Sequence, residues 1–216
     1  MSRSPKAQQV LLVGISALTL SAGTVDARTA ATTSGKALAR TIPEAGIIRF
    51  AEIRPGLARG GEPGTEGLRY LQKKGYRTIV SFLTDPAESA WAVQSGMRYV
   101  HLPMRSSFFF ADTPTDEQVH QFLSIVSDST QYPMFIHCHA GKDRTGAMTA
   151  IYRMEVCGWT AEEAVEEMRA FGFSGRYGKL MNYVENYSVQ SSTASLPPPA
   201  TALESAPAVP SSAETH

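Results

Sequence analysis

Short apolar runs alternate with amphipathic helical patterns between residues 47 and 188, and this alternation restricts the folds open to the chain. Strand-like runs occupy 47–53, 77–83, 97–104 and 132–138. Helical patterns occupy 65–76, 86–95, 144–157, 160–171 and 178–188, and another begins at Pro114 with Thr113 as its N-cap. The glycine-rich stretch PGLARGGEP (55–63) is predicted to be a turn. Repeated strand–helix units predict an α/β fold with a mostly parallel central sheet and helices on both faces.

The N-terminus has the pattern of a cleavable signal peptide over residues 1–27. Arg3 and Lys6 precede the apolar run at 10–20, which is too short to span a bilayer comfortably. The sequence Val25-Asp26-Ala27 then offers small residues for cleavage. A helix of the core is the alternative. A signal peptide predicts a periplasmic or secreted protein with no transmembrane span after its removal.

Composition separates three further regions. Residues 28–45 are rich in Ala, Thr and Ser and are predicted to be a linker, and 46–190 form the folded domain. Residues 191–216 are rich in Ser, Pro and Ala and lack aromatic residues, so they are predicted to be a disordered tail. We expect a monomer.

Charge and cysteine content exclude some classes of protein. The 216 residues carry 20 Lys and Arg against 20 Asp and Glu, so no general attraction to nucleic acid is expected. The two cysteines are Cys138 and Cys157. The helix predicted from Arg144 to Cys157 would be roughly 20 Å long, which is too far for a disulfide between them.

The stretch IHCHAGKDRTG (136–146) lies where the last predicted strand meets a helix. Open α/β sheets bind ligands at the carboxyl ends of their strands. A loop at a helix N-terminus can direct successive N–H groups at an anion, and Gly141 would allow the tight turn. The sequence therefore predicts an oxyanion site in this loop.

Three side chains of this loop suit cleavage of a phosphate ester. The positive field of the loop favours the thiolate of Cys138, which is the nucleophilic form. The guanidinium of Arg144 can bind two phosphate oxygens, and Thr145 can donate a hydrogen bond to the sulfur. Attack by Cys138 would form a covalent thiophosphate that water then hydrolyses. His137 is assigned a structural role, with a ring N–H donated to a loop carbonyl.

Other interpretations of the same residues compete with this one. A cysteine at the end of a strand is often only packed in the core. A Cys-x-His pair can bind metal, but the five histidines offer no second pair at ligand spacing. Chance is remote, because His, two Gly and Thr accompany Cys138 and Arg144.

The stretch HCHAGKDRTG (137–146) resembles the H-C-x5-R-[S/T] signature of the cysteine-based protein tyrosine and dual-specificity phosphatases. The stretches 55–63, 101–104 and 158–173 are similar to the compact bacterial atypical members. The resemblance implies a three-layer fold and a metal-independent phosphoric monoester hydrolase without a cofactor. It makes Cys138 the nucleophile, Arg144 the phosphate clamp and Thr145 the residue that assists the leaving thiol. The implied phosphate cradle consists of His139, Ala140, Gly141, Lys142, Asp143 and Arg144.

The general acid and the substrate remain open. The family commonly places an aspartate on a loop before the signature, which makes Asp112 and Asp116 candidates, and some branches use the position of Asp143. Lys142 and His139 favour a substrate with more than one phosphate, whereas Lys142 also suits plain solvation. Phe108, Phe109 and Phe110 could wall the cleft around phosphotyrosine or an inositol ring.

The predicted partner is a phosphorylated substrate, either a phosphoprotein or an inositol or lipid phosphate. Two other functions compete with phosphatase activity. The chain could be a catalytically weak phosphate- or phosphoinositide-binding module, although Cys138, Arg144 and Thr145 are all present. It could also be a sulfurtransferase or an arsenate reductase, although Cys157 is far from Cys138 in the predicted helix.

Overall fold

A six-stranded sheet forms the centre of the computed structural model, which describes residues 36–84, 88–173 and 175–190. The strands are β1 (Arg40–Thr41), β2 (Ala51–Arg54), β3 (Leu57–Gly60), β4 (Thr78–Ser81), β5 (Arg98–His101) and β6 (Met134–His137). Their order across the sheet is β1-β2-β3-β6-β4-β5. The pairs β3–β6, β6–β4 and β4–β5 are parallel, and β1 and β2 extend the sheet as antiparallel strands. The predicted mostly parallel sheet is confirmed.

Helices cover both faces of the sheet, as predicted. They are α1 (Thr65–Lys73), α2 (Ser89–Gln94), α3 (Asp116–Ser127), α4 (Arg144–Cys157), α5 (Ala161–Ala170) and α6 (Gly178–Glu185). One core cluster packs α1 and α2 against Phe135 of β6. The other packs α3 to α6 against Met134 and Ile136 of the same strand. Alternate residues of β6 thus enter opposite cores, which gives three layers. No helix within the described ranges is long and apolar enough to cross a membrane.

The prediction of a turn over 55–63 was wrong for residues 57–60, whereas residues 61–63 are irregular as predicted. Gly56 has a φ of +80° and makes the turn between β2 and β3. The next four residues form β3, all of them buried, and pair in parallel with β6. Because the stretch is rich in glycine, its sequence predicted a turn where the structure has a strand in the middle of the sheet.

The start of α3 also differs from the prediction. The N-cap is Thr115 rather than Thr113, and the helix begins at Asp116. The Thr115 hydroxyl accepts from Gln118 N (3.2 Å), and the Thr115 N–H donates to the Gln118 side chain (2.9 Å). Thr115 has Gln118 as its reciprocal partner three residues later, whereas Thr113 has no such partner at that spacing. A capping box of this kind fixes the start of a helix. The sequence of α5 carries the same signal, with Thr160 followed three residues later by Glu163, and the structure forms this capping box.

Part of the predicted linker belongs to the folded domain. Residues 40–41 form the edge strand β1, and the buried Ala39 N–H donates to Glu167 Oε1 at 2.8 Å. Lys36 Nζ contacts Glu163 at 2.7 Å. Polar contacts of this kind produce no apolar periodicity in the sequence. The composition therefore placed the start of the folded domain too late, at residue 46. The predicted signal peptide (1–27), the rest of the linker (28–35) and the tail (191–216) lie outside the described residues.

Candidate active site

Cys138 lies at the carboxyl end of β6, which is the strand between β3 and β4. Its side chain is 2% exposed. It lines a pocket of about 460 Å³ together with His139, Ala140, Lys142, Asp143 and Arg144. Both cysteines are free, and Cys157 ends α4. The structure therefore brings most of the predicted site residues together around the predicted nucleophile.

The loop after Cys138 is held open by donors from outside it, which bind three successive carbonyl groups. These bonds join Glu62 N to His139 O (3.0 Å), Arg49 Nη1 to Ala140 O (3.1 Å) and Arg59 Nη2 to Gly141 O (3.0 Å). The C=O and N–H of a planar trans peptide unit point in opposite directions. The following N–H groups are therefore turned away from these donors, as an anion cradle requires.

Arg59 combines two roles at this loop. Its side chain is fully buried in β3, and its guanidinium lies 4.1 Å from the centre of the Phe171 ring. Burial lowers the pKa of Arg59 to about 10, against the opposing effect of Glu167 and Cys138. Arg59 is therefore still charged at neutral pH and places a positive charge behind the loop.

Sequence reasoning missed both Arg49 and Arg59. They contact loop residues 91 and 82 positions away in the chain, so no local pattern points to them. One signal was available for Arg59, because it stands in the PGLARGGEP stretch that carried part of the family resemblance.

Gly141 is required by both conformation and space. Its φ is +69°, in the left-handed region that disfavours other residues. A Cβ atom there would lie 2.4 Å from Gly60 C and 2.5 Å from Gly61 N. The loop can therefore approach the end of β3 only with glycine at this position.

We expect Gly141→Ala to lower the free energy of unfolding by about 3 kcal/mol, since left-handed strain and backbone overlap add. Hydrolysis of para-nitrophenyl phosphate should also fall, by about a hundredfold, as the cradle shifts. Gly75→Ala is the matched control, because Gly75 has a φ of +76° with open space around it. It should cost about 1 kcal/mol and leave turnover intact. Equal effects of both variants in denaturant titration and turnover would contradict this explanation.

Arg144 is the first residue of α4 and is 8% exposed. Its Nη1 donates to Phe82 O and Met104 O, both at 3.0 Å, at the carboxyl ends of β4 and β5. These bonds fix the guanidinium plane beside the pocket. Nε and Nη2 are then the groups that can bind two oxygens of a phosphate.

Thr145 is fully buried, and its hydroxyl has no hydrogen-bond partner among the described residues. An unpaired buried hydroxyl is costly, so its retention beside the clamp fits a role in the reaction. Its predicted donation to the sulfur stays a prediction.

His137 supports the loop through a different contact from the one predicted. The ring is fully buried and stacked on Phe135. Its Nε2 lies 3.0 Å from Glu88 Oε1, as an ion-pair approach rather than an aligned hydrogen bond. Burial raises the pKa of Glu88, but His137 and the Tyr99 hydroxyl outweigh this and hold the pKa below its ordinary value. The partner of His137 is thus this carboxylate and not a loop carbonyl.

His139 faces a different direction from His137. Its side chain is 77% exposed, and its Nδ1 lies 2.8 Å from Glu62 Oε2. Cys138 lies between the two histidines and lines the catalytic pocket. Within the described ranges, no three His, Cys, Asp or Glu side chains converge as metal ligands would. The alternative of a Cys/His metal cluster does not match this divergence.

The three candidate acids occupy different places. Asp143 lines the pocket and is 8% exposed. Asp112 pairs with Arg105 Nε at 2.8 Å in a neighbouring cavity, and Asp116 is the first residue of α3. The loop 105–112 nevertheless reaches the catalytic pocket, because Phe108 lines it.

Two further pocket residues were missed by sequence reasoning. Arg176 and Tyr177 come from the segment before α6 and line the pocket opposite the signature loop. The Arg176 guanidinium lies 4.1 Å from the centre of the Phe108 ring, and the Tyr177 hydroxyl donates to Ser107 O at 2.8 Å. Only the fold brings them to the pocket, about 40 residues after Cys138 in a helix-rich region.

Comparison with known proteins agrees with this geometry. Residues 49–183 match the sequence model of a family described as DSP-PTPase phosphatase fused to NAD+ kinase. The chain is 32% identical to the dual specificity protein phosphatase TpbA of Pseudomonas aeruginosa over 175 residues, which is 80% of this chain and 77% of TpbA. It is 22% identical to the inositol diphosphatase DSP2 of Oryza sativa subsp. japonica over 147 residues, or 67% and 72% of the two chains.

Solved structures show the same relationship. The crystal structure of P. aeruginosa TpbA superimposes with a TM-score of 0.60 at 29% identity, covering 72% of this chain and 94% of that one. A Cys-to-Ser variant of TpbA in complex with phosphotyrosine gives the same TM-score, and the two chains are covered to 71% and 92%. By its sequence, its fold and the cradle around Cys138, the chain belongs to the DSP-PTPase family and is a metal-independent, cysteine-dependent phosphatase.

Proposed function

We propose that this phosphatase hydrolyses phosphotyrosine in proteins outside the cytoplasm. The observation that carries the proposal is the depth of the nucleophile, since Cys138 is only 2% exposed at a pocket walled by Phe108 and Tyr177. A long, flat phosphotyrosine side chain suits a recessed sulfur between two aromatic walls better than the short phosphoserine side chain does. The phosphotyrosine complex of TpbA supports the same choice.

The reaction follows from the positions of the side chains. The Cys138 thiolate attacks phosphorus, so that a P–S bond forms while the P–O bond to tyrosine breaks. The loop N–H groups and Arg144 bind the three non-bridging oxygens as their charge changes. A carboxylic acid protonates the leaving tyrosine oxygen. The carboxylate left behind then takes a proton from a water molecule, whose oxygen attacks phosphorus and breaks the P–S bond, which releases inorganic phosphate and restores both the thiolate and the carboxylic acid.

We propose Asp112 as the acid. Its ion pair with Arg105 is exposed, with side-chain accessibilities of 38% and 76%, and such pairs contribute little stability. Release of Asp112 is therefore inexpensive, and its loop already contributes Phe108 to the pocket. A movement of the 105–112 loop would bring the carboxyl group to the leaving oxygen.

Asp112→Asn should reduce kcat/KM for an alkyl phosphate by about a hundredfold, because a poor leaving group needs a proton. The loss for para-nitrophenyl phosphate should be much smaller, since nitrophenolate leaves without one. Asp143→Asn is the matched comparison, because Asp143 lines the same pocket. A loss selective for the alkyl ester in Asp143→Asn instead would assign the acid to that residue.

Inositol phosphates are the second candidate substrates. Lys142 and Arg176 line the pocket in addition to Arg144, and three cations suit a substrate with several phosphates. The relative DSP2 is named an inositol diphosphatase. A panel of phosphotyrosine peptides, phosphoserine peptides and inositol diphosphates, assayed by phosphate release, separates the two. We expect the highest kcat/KM for phosphotyrosine peptides, and faster turnover of an inositol diphosphate would overturn the proposal.

The extracytoplasmic location is supported by the order of Arg3 and Lys6, the apolar run at 10–20 and the small residues at 25–27. We expect the mature protein to be recovered from the periplasm or the medium with residue 28 at its N-terminus. Mass spectrometry of the isolated protein measures this directly. An intact residue 1 in the cytoplasmic fraction would contradict it.

A further inference from the structure

A second cavity adjoins the catalytic pocket. It has a volume of about 630 Å³, compared with about 460 Å³ for the catalytic pocket. His139 and Ala140 line both, so these two residues form the ridge between them. A substrate with its phosphate at Cys138 can therefore extend into the second cavity over this ridge. We call it the acidic cavity, because Glu62 and Glu88 line it.

The walls of the acidic cavity are apolar. Pro63, Leu68, Trp91 and Ile48 line it, and the Ile48 side chain is 55% exposed. Apolar walls of this kind suit the methylene groups of a long side chain, and an indole ring attracts a cation placed over its face.

The charged groups of this cavity are carboxylates. Glu88 is 5% exposed, and its Oε1 lies near both the Tyr99 hydroxyl and His137 Nε2, each at 3.0 Å. Its Oε2 has no hydrogen-bond partner among the described residues. The pKa of Glu88 is held low despite burial, because His137 and Tyr99 outweigh the desolvation. Its negative charge therefore lies beside the cavity at neutral pH and favours a cation there, although Oε2 itself is buried.

Glu62 adds a second carboxylate at the ridge. Its side chain is 34% exposed, and Oε2 is 2.8 Å from His139 Nδ1. Each of the two carboxylates thus has one histidine beside it, and no lysine or arginine of the described chain lines this cavity. The catalytic pocket has the opposite character, with Lys142, Arg144 and Arg176. The joined cleft is therefore bipolar.

We propose that the acidic cavity binds a lysine or arginine side chain that neighbours the phosphotyrosine in the substrate protein. The phosphate would occupy the cationic pocket while the basic side chain passes over the ridge, packs its stem on the apolar wall and pairs with Glu62 in the field of the buried Glu88. This inference rests on the proposed function. It assigns the enzyme a preference for basic phosphotyrosine sequences and a poor fit to polyanionic substrates, whose outer phosphates would face these carboxylates.

Phosphotyrosine peptides test the proposal. Arginine is placed in turn at each of the two positions on either side of phosphotyrosine, and each peptide is paired with one that carries the isosteric but neutral citrulline. At one position we expect arginine to raise kcat/KM by about tenfold over citrulline, as a charge-assisted hydrogen bond to a carboxylate allows. Glutamate at the same position should lower kcat/KM below that of the citrulline peptide.

The Arg-to-citrulline ratio is then measured in Glu62→Gln and in Trp91→Leu. Because each ratio is internal to one variant, a general loss of activity or of folded protein does not affect it. The ratio should fall below about threefold in Glu62→Gln, since the charge partner is lost. Glu66→Gln is the matched control, because Glu66 is on the exposed surface of α1 and should keep the wild-type ratio.

Two outcomes would overturn the inference without contradicting the proposed function. Equal turnover of arginine, citrulline and glutamate peptides would show that the cavity does not recognise the charge of the residue beside phosphotyrosine. A preference that persists unchanged in Glu62→Gln and Trp91→Leu would place recognition elsewhere. Failure of the proposed function looks different, because no phosphotyrosine peptide would then be hydrolysed while para-nitrophenyl phosphate or an inositol diphosphate was.

Discussion

Replacement of Cys138 by serine should abolish hydrolysis of para-nitrophenyl phosphate in EDTA, with a loss in kcat of at least about a thousandfold. A serine hydroxyl is a far weaker acid and nucleophile than a thiol, so the attacking group is lost while its shape is kept. The buried volume hardly changes, and we expect the fold to survive. Turnover by the wild type in EDTA should match turnover without it, since the family is metal-independent.

Cys157→Ser provides the matched control for this result. Cys157 is the last residue of α4, half-buried and free, and does not line the catalytic pocket. The variant should keep turnover within about twofold of the wild type, as a substitution outside the site does. A binding measurement distinguishes loss of the chemical step from loss of the fold. Cys138→Ser should still bind a phosphotyrosine peptide in calorimetry, because the folded pocket is retained. Substantial hydrolysis by Cys138→Ser would mean that another group attacks phosphorus.

The parts of this protein that the sequence predicts are those with a local signal. Such local signals are the helical pattern of α4, the capping pair at the start of α5 and the continuous apolar run before Cys138. The chemistry of Cys138 and Arg144 is equally local, because seven residues contain it. These features require no knowledge of distant contacts.

The parts that were missed depend on contacts between distant segments. β3 has four residues and no alternation, and it is a strand because β6 pairs with it. Arg59 and Arg49 support the loop from more than 80 residues away. The position of Glu88 beside His137 could not be inferred either, because a short helix has no pattern that fixes what lies next to its first turn. The topology of the fold determines these contacts between distant segments, and the local sequence contains little signal for them.

Arg144→Lys should lower kcat/KM for para-nitrophenyl phosphate by about a hundredfold to a thousandfold, although the charge is kept. Lysine has one terminal nitrogen, whereas the guanidinium uses Nη1 for Phe82 O and Met104 O and presents its other N–H groups to the phosphate. A lysine ammonium cannot meet both demands from one position. It must leave the two carbonyls short of donors or leave the phosphate oxygens without their bidentate partner.

The split between kcat and KM distinguishes these two consequences for Arg144→Lys. If the lysine stays on the two carbonyls, the phosphate loses a partner in both ground state and transition state, and KM rises together with a fall in kcat. If it turns to the phosphate, binding is retained and the free energy of unfolding falls instead, because buried carbonyls lose their donor. Arg98→Lys on the exposed side of β5 is the control for loss of an arginine and should change neither quantity. Retention of kcat/KM within about threefold in Arg144→Lys would show that point charge alone suffices, and that the two-oxygen clamp is not what this arginine supplies.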